Sequence, residues 1–166
     1  MLPDLKLTIM LPALLAAWSA GVAAQEPVVP VADPEALFVD EDPTLHANKQ
    51  LALHFMRELL QCNHWERAPE WLSERYLQHN PNGRSGRDGI MAFFTRTRPR
   101  METCGKLTTP LVAVLADGDL VTVVLHREYD HPVRLGDRYT STWFYLWRVV
   151  EGKLDEHWAP ATIAAP

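Results

Sequence analysis

The stretch that decides the fold is Tyr76-Leu77-Gln78-His79-Asn80-Pro81. Asn80 precedes a proline, which disfavours helical dihedral angles, so we expect this segment to run extended. Two further motifs accompany it, Gly86-Arg87-Asp88-Gly89 after a glycine-rich turn and Glu156-His157-Trp158 near the C-terminus. The imidazoles, amide and aromatic rings of these motifs are suited to lining one pocket.

Together the motifs resemble those of the SnoaL-like polyketide cyclases and their relatives in the nuclear transport factor 2-like superfamily. The resemblance implies a cone-shaped α+β domain over residues 44–161, with N-terminal helices packed on a curved antiparallel sheet around an internal cavity. Residues 162–166 would form a C-terminal tail. The superfamily uses its cavity in enzymes and in binding proteins alike, so the fold alone does not fix a reaction.

Residues 1–24 have the pattern of a secretory signal peptide, with an apolar run after Lys6 and a small-x-small sequence ending at Ala24. The run is shorter than the roughly 20 apolar residues that span a bilayer. We therefore predict a periplasmic or secreted protein without a membrane partner after cleavage, with a retained N-terminal anchor as the alternative. Residues 25–43 are rich in proline and acidic residues, which predicts an extended, solvated leader.

The charge and the cysteines limit the partners and the compartment. The chain of 166 residues has a formal net charge of −5 and no basic cluster on a predicted helix, which argues against nucleic acid as a partner. Cys62 and Cys104 accompany an export signal, so in an oxidising compartment they would either form a disulfide or remain two partly buried thiols. Both alternatives stay open, because the sequence does not give the distance between the two Cα atoms.

Three helices are predicted before the main run of strands. The first begins with Asp42 as its N-cap and Pro43 at the first helical position. The second is short, over residues 69–75, and the third covers residues 87–98. The apolar stripe of the first helix is Leu51, Phe55, Leu59 and Cys62, and its polar side is Asn48, Lys49, Arg57 and Glu58.

The remaining sequence predicts an antiparallel sheet. Two β-branched runs, residues 111–116 and 120–129, are joined by Asp117-Gly118-Asp119, which is a hairpin signal. A long strand over residues 139–150 turns at Glu151-Gly152 into a last strand over residues 153–158. Helices followed by a run of strands are typical of an α+β fold.

Side chains alternate between the two faces of the long strand. We assign one set to the concave face of the sheet, namely Trp143, Tyr145 and Trp147. The opposite face carries Arg148, which marks it as solvated, together with Phe144 and Leu146. Because open sheets of this superfamily commonly pair back to back, these two apolar residues predict a homodimer.

The candidate catalytic residues are His126, His79 and Tyr145. The two imidazoles would act as acid and base, and the phenol would donate a hydrogen bond to a carbonyl oxygen. The candidate ligand-binding residues are Tyr76, Gln78, Asn80, Trp143, Trp147, His157 and Trp158. Structural alternatives exist for each: a core or rim role for His126, local backbone bonding for His79 and Asn80, and an ordinary aromatic core for the rings.

Cyclases of the resembled family use carboxylates, one on the long strand and one after the histidine-tryptophan pair. Those positions are Tyr145 and Ala159 here, which counts against intramolecular aldol cyclisation. The sequence contains no His-Glu-x-x-His, paired Cys-x-x-Cys or dinucleotide-binding glycine pattern, so we predict neither a metal nor a cofactor.

Three functions remain open from the sequence. The first is a binding protein whose aromatic cavity holds a small apolar or ring-containing molecule. The second is an acid/base enzyme, such as an isomerase, a lyase or an aldol cyclase-like catalyst, acting on a carbonyl compound. The third is a structural dimeric partner protein that pairs through its sheet.

Overall fold

The computed structural model describes residues 25–96 and 99–163, and the predicted signal peptide at residues 1–24 lies outside them. Helices pack on one face of a five-stranded sheet of order β1-β5-β4-β3-β2, which is the predicted α+β class. The strands are β1 (Leu72–Gln78), β2 (Leu111–Asp117), β3 (Leu120–Asp130), β4 (Arg138–Val150) and β5 (Lys153–Trp158). The helices are α1 (Pro43–His54), α2 (Ala68–Trp71) and α3 (Arg87–Phe94). No helix in this described part of the chain is long and apolar enough to cross a membrane.

The sheet is mixed, so the prediction of a wholly antiparallel sheet is wrong. Strands β2 to β5 form an antiparallel meander, but β5 then pairs with β1 in parallel. The reason is the connection after β1, which carries the chain through α3 to the opposite edge of the sheet. The meander returns from that edge and ends with β5 running in the direction of β1.

The start of α1 is as predicted. The Asp42 side chain accepts hydrogen bonds from the backbone N–H groups of Thr44 at 2.7 Å and Leu45 at 3.1 Å, with Pro43 at the first helical position. These bonds satisfy amides that have no acceptor within the helix. The cap therefore fixes where the chain enters the helical layer.

A π-helical segment, Phe55–Gln61, continues α1. Its last turn is closed by the Cys62 N–H, which donates to the Arg57 carbonyl five residues earlier at 3.0 Å. The wider turn rotates the following side chains relative to a regular helix. As a result Phe55, Met56 and Leu59 are all buried against the sheet.

Part of the predicted polar side of this helix is buried, which corrects the prediction. Asn48, Lys49 and Glu58 are all less than a tenth exposed. Each has a polar partner that offsets the desolvation cost of burial: Asn48 donates to the Gly118 carbonyl, and Lys49 pairs with Asp40 at 2.8 Å. Glu58 accepts from His64 and from Arg67, both at 3.1 Å.

The other two helices are shorter than predicted. The second ends at Trp71 rather than at residue 75, because Leu72 already begins β1. The third ends at Phe94, and residues 97–98 of its predicted range lie outside the described residues.

The predicted solvated leader is wrong for its second half. A 3-10 turn, Pro34–Phe38, places the Phe38 side chain in the core, where it is fully buried. Upstream, the Val31 N–H donates to the Leu111 carbonyl at 2.8 Å and the Val28 N–H donates to Thr140 Oγ1 at 2.7 Å. The composition suggested solvation, but these contacts make the leader part of the domain.

Cys62 and Cys104 form a disulfide with a Cα–Cα distance of 5.6 Å, one of the two alternatives that the sequence left open. The bridge ties the end of the π-helical segment to the loop before β2. It therefore holds together two of the elements that border the site described next.

Candidate functional site

A hollow lies between the helices and the concave face of the sheet. It consists of two adjoining chambers that share Leu60, Phe94 and Tyr145 as walls. The larger chamber, of about 250 Å³, is also lined by Met56, Gln61, Thr109, Leu125 and Arg127. The smaller chamber, of about 80 Å³, is also lined by Phe55, Gln78, Ile90, Phe93, Trp143 and His157.

The π-helical segment shapes this hollow. Phe55, Met56, Leu60 and Gln61 all come from Phe55–Gln61, and together they contribute to both chambers. In a regular helix these four positions would spread around most of the circumference. The wider turn therefore gives the hollow a wall on the helical side.

The most informative side chain in the hollow is His157, which is 5% exposed. Its Nδ1 lies 2.7 Å from Gln78 Oε1, and the same oxygen accepts the Asn80 N–H at 3.0 Å. Because this oxygen is an acceptor, Nδ1 must carry the proton, and Nε2 is left with a lone pair. Nε2 is buried and has no hydrogen-bond partner among the described residues.

Electrostatics favour the neutral imidazole that this tautomer requires. Burial, with a smaller contribution from His79, lowers the pKa of His157 from its ordinary value to about 4. The imidazole is therefore neutral at physiological pH. His157 belongs to the wall of the smaller chamber, and its buried Nε2 is an acceptor that none of the described protein donors satisfies.

A hydrogen-bond donor lies in the same chamber. Trp143 Nε1 is buried and likewise has no partner within the described part of the chain. Tyr145 stands between the two chambers, with its ring centroid 5.4 Å from that of His157. Trp143 and Tyr145 thus lie on the concave face, as the alternation along β4 predicted.

The linings contain aromatic, aliphatic, amide and hydroxyl groups and one guanidinium, that of Arg127. Among the described residues, neither chamber is lined by an aspartate or a glutamate. The hollow can therefore enclose a ring, and its walls hold one buried acceptor, at His157, and one buried donor, at Trp143. It offers no carboxylate to remove a proton.

The comparisons with known proteins agree with this architecture. Residues 52–157 match the family model of the SnoaL-like domain. The chain belongs to the SnoaL-like domain family. No curated protein matches this sequence.

Solved structures share the fold of this SnoaL-like domain. A proposed polyketide cyclase from Bacillus cereus is 17% identical with a TM-score of 0.51, and the match covers 81% of this chain and 84% of that one. An LEH-like epoxide hydrolase from M. tuberculosis is 15% identical with a TM-score of 0.51, over 72% of this chain and 81% of that one. At this level of identity the likeness shows the fold alone.

Tyr76 and Trp147 lie beneath the hollow of the SnoaL-like domain rather than in its lining. Both side chains are fully buried, and Trp147 Nε1 donates to the Tyr76 hydroxyl at 3.0 Å. Burial raises the pKa of Tyr76 above its ordinary range. This placement gives both residues a core role, which was the alternative to ligand binding.

Gln78 and Asn80 line the smaller chamber, and both also have local roles. Asn80 Oδ1 accepts from the Asn82 N–H at 2.9 Å, which is the local bonding expected ahead of a turn. Gln78 orients His157. Gly83 allows the loop to approach Gln78 closely, because a Cβ at this position would lie 3.1 Å from Gln78 Cγ.

His79 and Trp158 do not line either chamber, so the prediction that their side chains contribute to the hollow is wrong. The His79 side chain is 46% exposed and its Nε2 is 2.8 Å from Glu156 Oε1. Its ring stacks on Trp158 with centroids 5.1 Å apart. The cause is the period of two along a strand, which places neighbours of Gln78 and His157 on the opposite face.

His126 also lies on the wrong face to line the hollow. It pairs with Thr142 across β3 and β4, and the alternation of β4 puts Thr142 opposite to Trp143 and Tyr145. The structure therefore does not bring His126, His79 and Tyr145 together. Of these three candidate catalytic residues, Tyr145 alone borders the hollow.

Sequence reasoning missed several residues of the site. The alternate residues of β3, Leu125 and Arg127, face the hollow because Leu125 pairs with Trp143. A register between the two strands would have been needed to find them. Nothing in the sequence signalled the π-helical turn that brings Met56 and Leu60 to the same wall.

Proposed function

We propose that this SnoaL-like protein is exported and binds a small ring-containing molecule in the hollow. The observation that carries the proposal is the buried Nε2 of His157, an acceptor without a donor among the described residues, in the wall of a chamber lined by aromatic, aliphatic and amide groups. An unsatisfied buried polar atom destabilises a protein by about 1–3 kcal/mol, so such atoms commonly serve a bound group.

The shape and the polarity of the hollow support the same class of ligand. An apolar cavity of about 150 Å³ is enough to hold benzene, and the larger chamber has about 250 Å³. Walls of Phe94, Leu60 and Tyr145 suit a flat ring. A ligand hydroxyl would donate to His157 Nε2, and a ligand acceptor would receive the Trp143 N–H.

Calorimetric titration with 2-naphthol at pH 7.5 tests the proposal. We expect saturable one-to-one binding, and we expect His157→Phe to weaken it about tenfold because the acceptor is lost. His79→Phe is the matched control, since it removes an imidazole on the outer face and should leave the affinity unchanged. Thermal unfolding checks that the wild-type protein and His157→Phe are both folded. Equal affinities of these two proteins for 2-naphthol would then reject the assignment of Nε2 as the acceptor.

An acid/base enzyme is the second candidate, and one observation favours it. His157 and Tyr145 line the same chamber, where a base and a donor would flank a carbonyl compound. This pair would replace His126 and His79 in the predicted mechanism. If the protein is such an enzyme, it should accelerate exchange of the α-protons of 2-tetralone in D₂O. An exchange rate with the protein equal to the rate in buffer alone would argue for binding without catalysis.

Two features support export as a proposal. The sequence of residues 1–24 has the pattern of a signal peptide, and a disulfide between Cys62 and Cys104 suits an oxidising compartment. Expression of the full chain in a bacterium followed by fractionation should give a periplasmic protein that lacks residues 1–24. Recovery of the uncleaved chain from the membrane fraction would instead indicate a retained anchor.

A further inference from the structure

The cation Arg127 lines the larger chamber, although the chain as a whole has a formal net charge of −5. Arg127 lies on the concave face of β3, two residues beyond Leu125, and it is partly buried. Across the strand pair it lies opposite Ser141, which offers no charge. The guanidinium therefore belongs to the rim of the hollow rather than to the outer surface.

This guanidinium has no carboxylate partner in the described part of the chain. Ion pairs there engage many of the other arginines, including Arg57, Arg67, Arg75 and Arg148. The neighbouring acid, Glu128, is on the opposite face of β3 and pairs with Arg138 at 2.7 Å. Arg127 is thus a cation in the wall of the larger chamber with no anion beside it among the described residues.

Gln61, another polar residue of the larger chamber, is already engaged. Gln61 Oε1 accepts from the Thr108 N–H at 2.8 Å, and Gln61 Nε2 donates to the Lys106 carbonyl at 2.9 Å. Of the other lining residues, Met56, Leu60 and Leu125 are aliphatic, Phe94 and Tyr145 are aromatic, and Thr108 and Thr109 carry hydroxyls. The chamber therefore combines one guanidinium of single positive charge with walls of mixed polarity.

We propose that the ligand of the hollow is a ring-containing carboxylic acid, whose carboxylate pairs with Arg127 while its ring occupies the space between Leu60, Phe94 and Tyr145. This inference rests on the proposed binding function and specifies its ligand class. A guanidinium binds a carboxylate through two parallel hydrogen bonds, which sets the orientation of the acid. One guanidinium balances one carboxylate charge, whereas phosphate sites usually gather several donors or cations.

Two probes separate this inference from the binding function itself. The first, 6-hydroxy-2-naphthoate, carries both a carboxylate and a hydroxyl, and the second, 2-naphthol, lacks the carboxylate. We expect the wild-type protein to bind the naphthoate about tenfold more tightly than 2-naphthol in calorimetric titrations at pH 7.5. We also expect Arg127→Met to abolish that preference, which is the ratio of the two affinities measured on the same variant.

Arg134→Met is the matched control, because Arg134 is an exposed arginine of the β3–β4 loop and its loss changes the net charge equally. This variant should keep the preference for the naphthoate. Arg127→Lys retains the charge but not the planar guanidinium that donates two parallel hydrogen bonds, so it should keep only part of the preference. Thermal unfolding of each variant checks that it is folded.

The outcomes distinguish the two proposals. Binding of 2-naphthol without any preference for the naphthoate, or an equal preference in wild type and Arg127→Met, would overturn the carboxylate assignment alone. Failure of the wild-type protein to bind either probe would overturn the binding function and this inference together.

Discussion

At the scale of single residues, His157 determines the chemistry of the hollow. Gln78 Oε1 fixes its proton on Nδ1, so Nε2 is a buried acceptor in the wall of the smaller chamber. Burial disfavours the imidazolium, which is why the pKa of His157 falls to about 4. The same group therefore links the proposed ligand binding to the pH dependence of folding.

The sign of that dependence follows from the two pKa values. An unfolded histidine titrates near 6.5, so between about pH 6.5 and pH 4 the unfolded chain binds more protons than the folded one. The contribution of His157 to the free energy of unfolding is thus complete above pH 6.5 and is lost as the pH falls towards 4. Between pH 7 and pH 4.5 we expect a loss of about 2–3 kcal/mol in wild type that is absent in His157→Phe.

Urea unfolding of both proteins at the two pH values measures this difference. Carboxylates that also titrate in this range are common to both proteins, so the comparison isolates His157. An equal change in the unfolding free energy of both proteins would show that His157 is protonated in the folded state as easily as in the unfolded one.

The sequence allowed some residues of the site to be predicted and not others. Tyr145 and Trp143 followed from the alternation of β4, and Gln78 and His157 followed from the motifs. The prediction for His126 was wrong because alternation along β3 does not show which of its faces borders the cavity until the register with β4 is known. Arg127 was missed for the same reason, and an unsatisfied Nε2 is a property of packing that no motif records.

At the scale of elements, the π-helical segment and the disulfide hold the helical wall of the hollow. Cys62 follows the segment directly, and its bridge to Cys104 closes a loop with a sequence separation of 42 residues. Restricting a loop of this length in the unfolded chain stabilises the folded state by about 4 kcal/mol in the chain-entropy model. We expect the double substitution Cys62→Ala and Cys104→Ala to lower the unfolding free energy by about that amount.

Urea unfolding under non-reducing conditions measures that loss. Reduction of the wild-type protein with dithiothreitol should reproduce it and should leave the double variant unchanged. An unfolding free energy for the double variant equal to that of the oxidised wild-type protein would contradict the role given to the bridge.

Element boundaries show how far local sequence signals reach. The Asp42 cap and the Asp117-Gly118-Asp119 turn were predicted because they depend on a few neighbouring residues. The parallel pairing of β1 with β5 joins residues about 80 positions apart, and local periodicity does not encode it. The burial of Phe38 likewise depends on contacts with the rest of the chain, so the composition of the leader was misleading.

At the scale of the whole molecule, the outer face of the sheet, which points away from the helices, carries exposed apolar side chains. Phe144 is 43% exposed there, and Leu115, on the same face through its pairing with Thr122, is 60% exposed. We propose that two copies pair through this face, as the sequence predicted from Phe144 and Leu146. A stable pairing would need roughly 800 Å² of surface from each copy.

Light scattering at micromolar concentration tests this proposal. We expect the mass of two chains for the wild-type protein and the mass of one chain for Phe144→Glu, because the substitution buries a charge in the interface. Val133→Glu is the control, since Val133 is an exposed apolar residue of the β3–β4 loop. A monomeric wild-type protein would contradict the proposal.

The central claim is that the free lone pair of His157 receives a hydrogen bond from a ligand in the hollow. The most direct measurement is the ¹⁵N resonance of His157 Nε2, assigned by its loss in His157→Phe and followed during titration with 2-naphthol. We expect the free protein to show an unprotonated Nε2, and saturation with 2-naphthol to shift this resonance in the direction typical of hydrogen bonding. A resonance that stays unchanged while 2-naphthol saturates the protein would contradict the account.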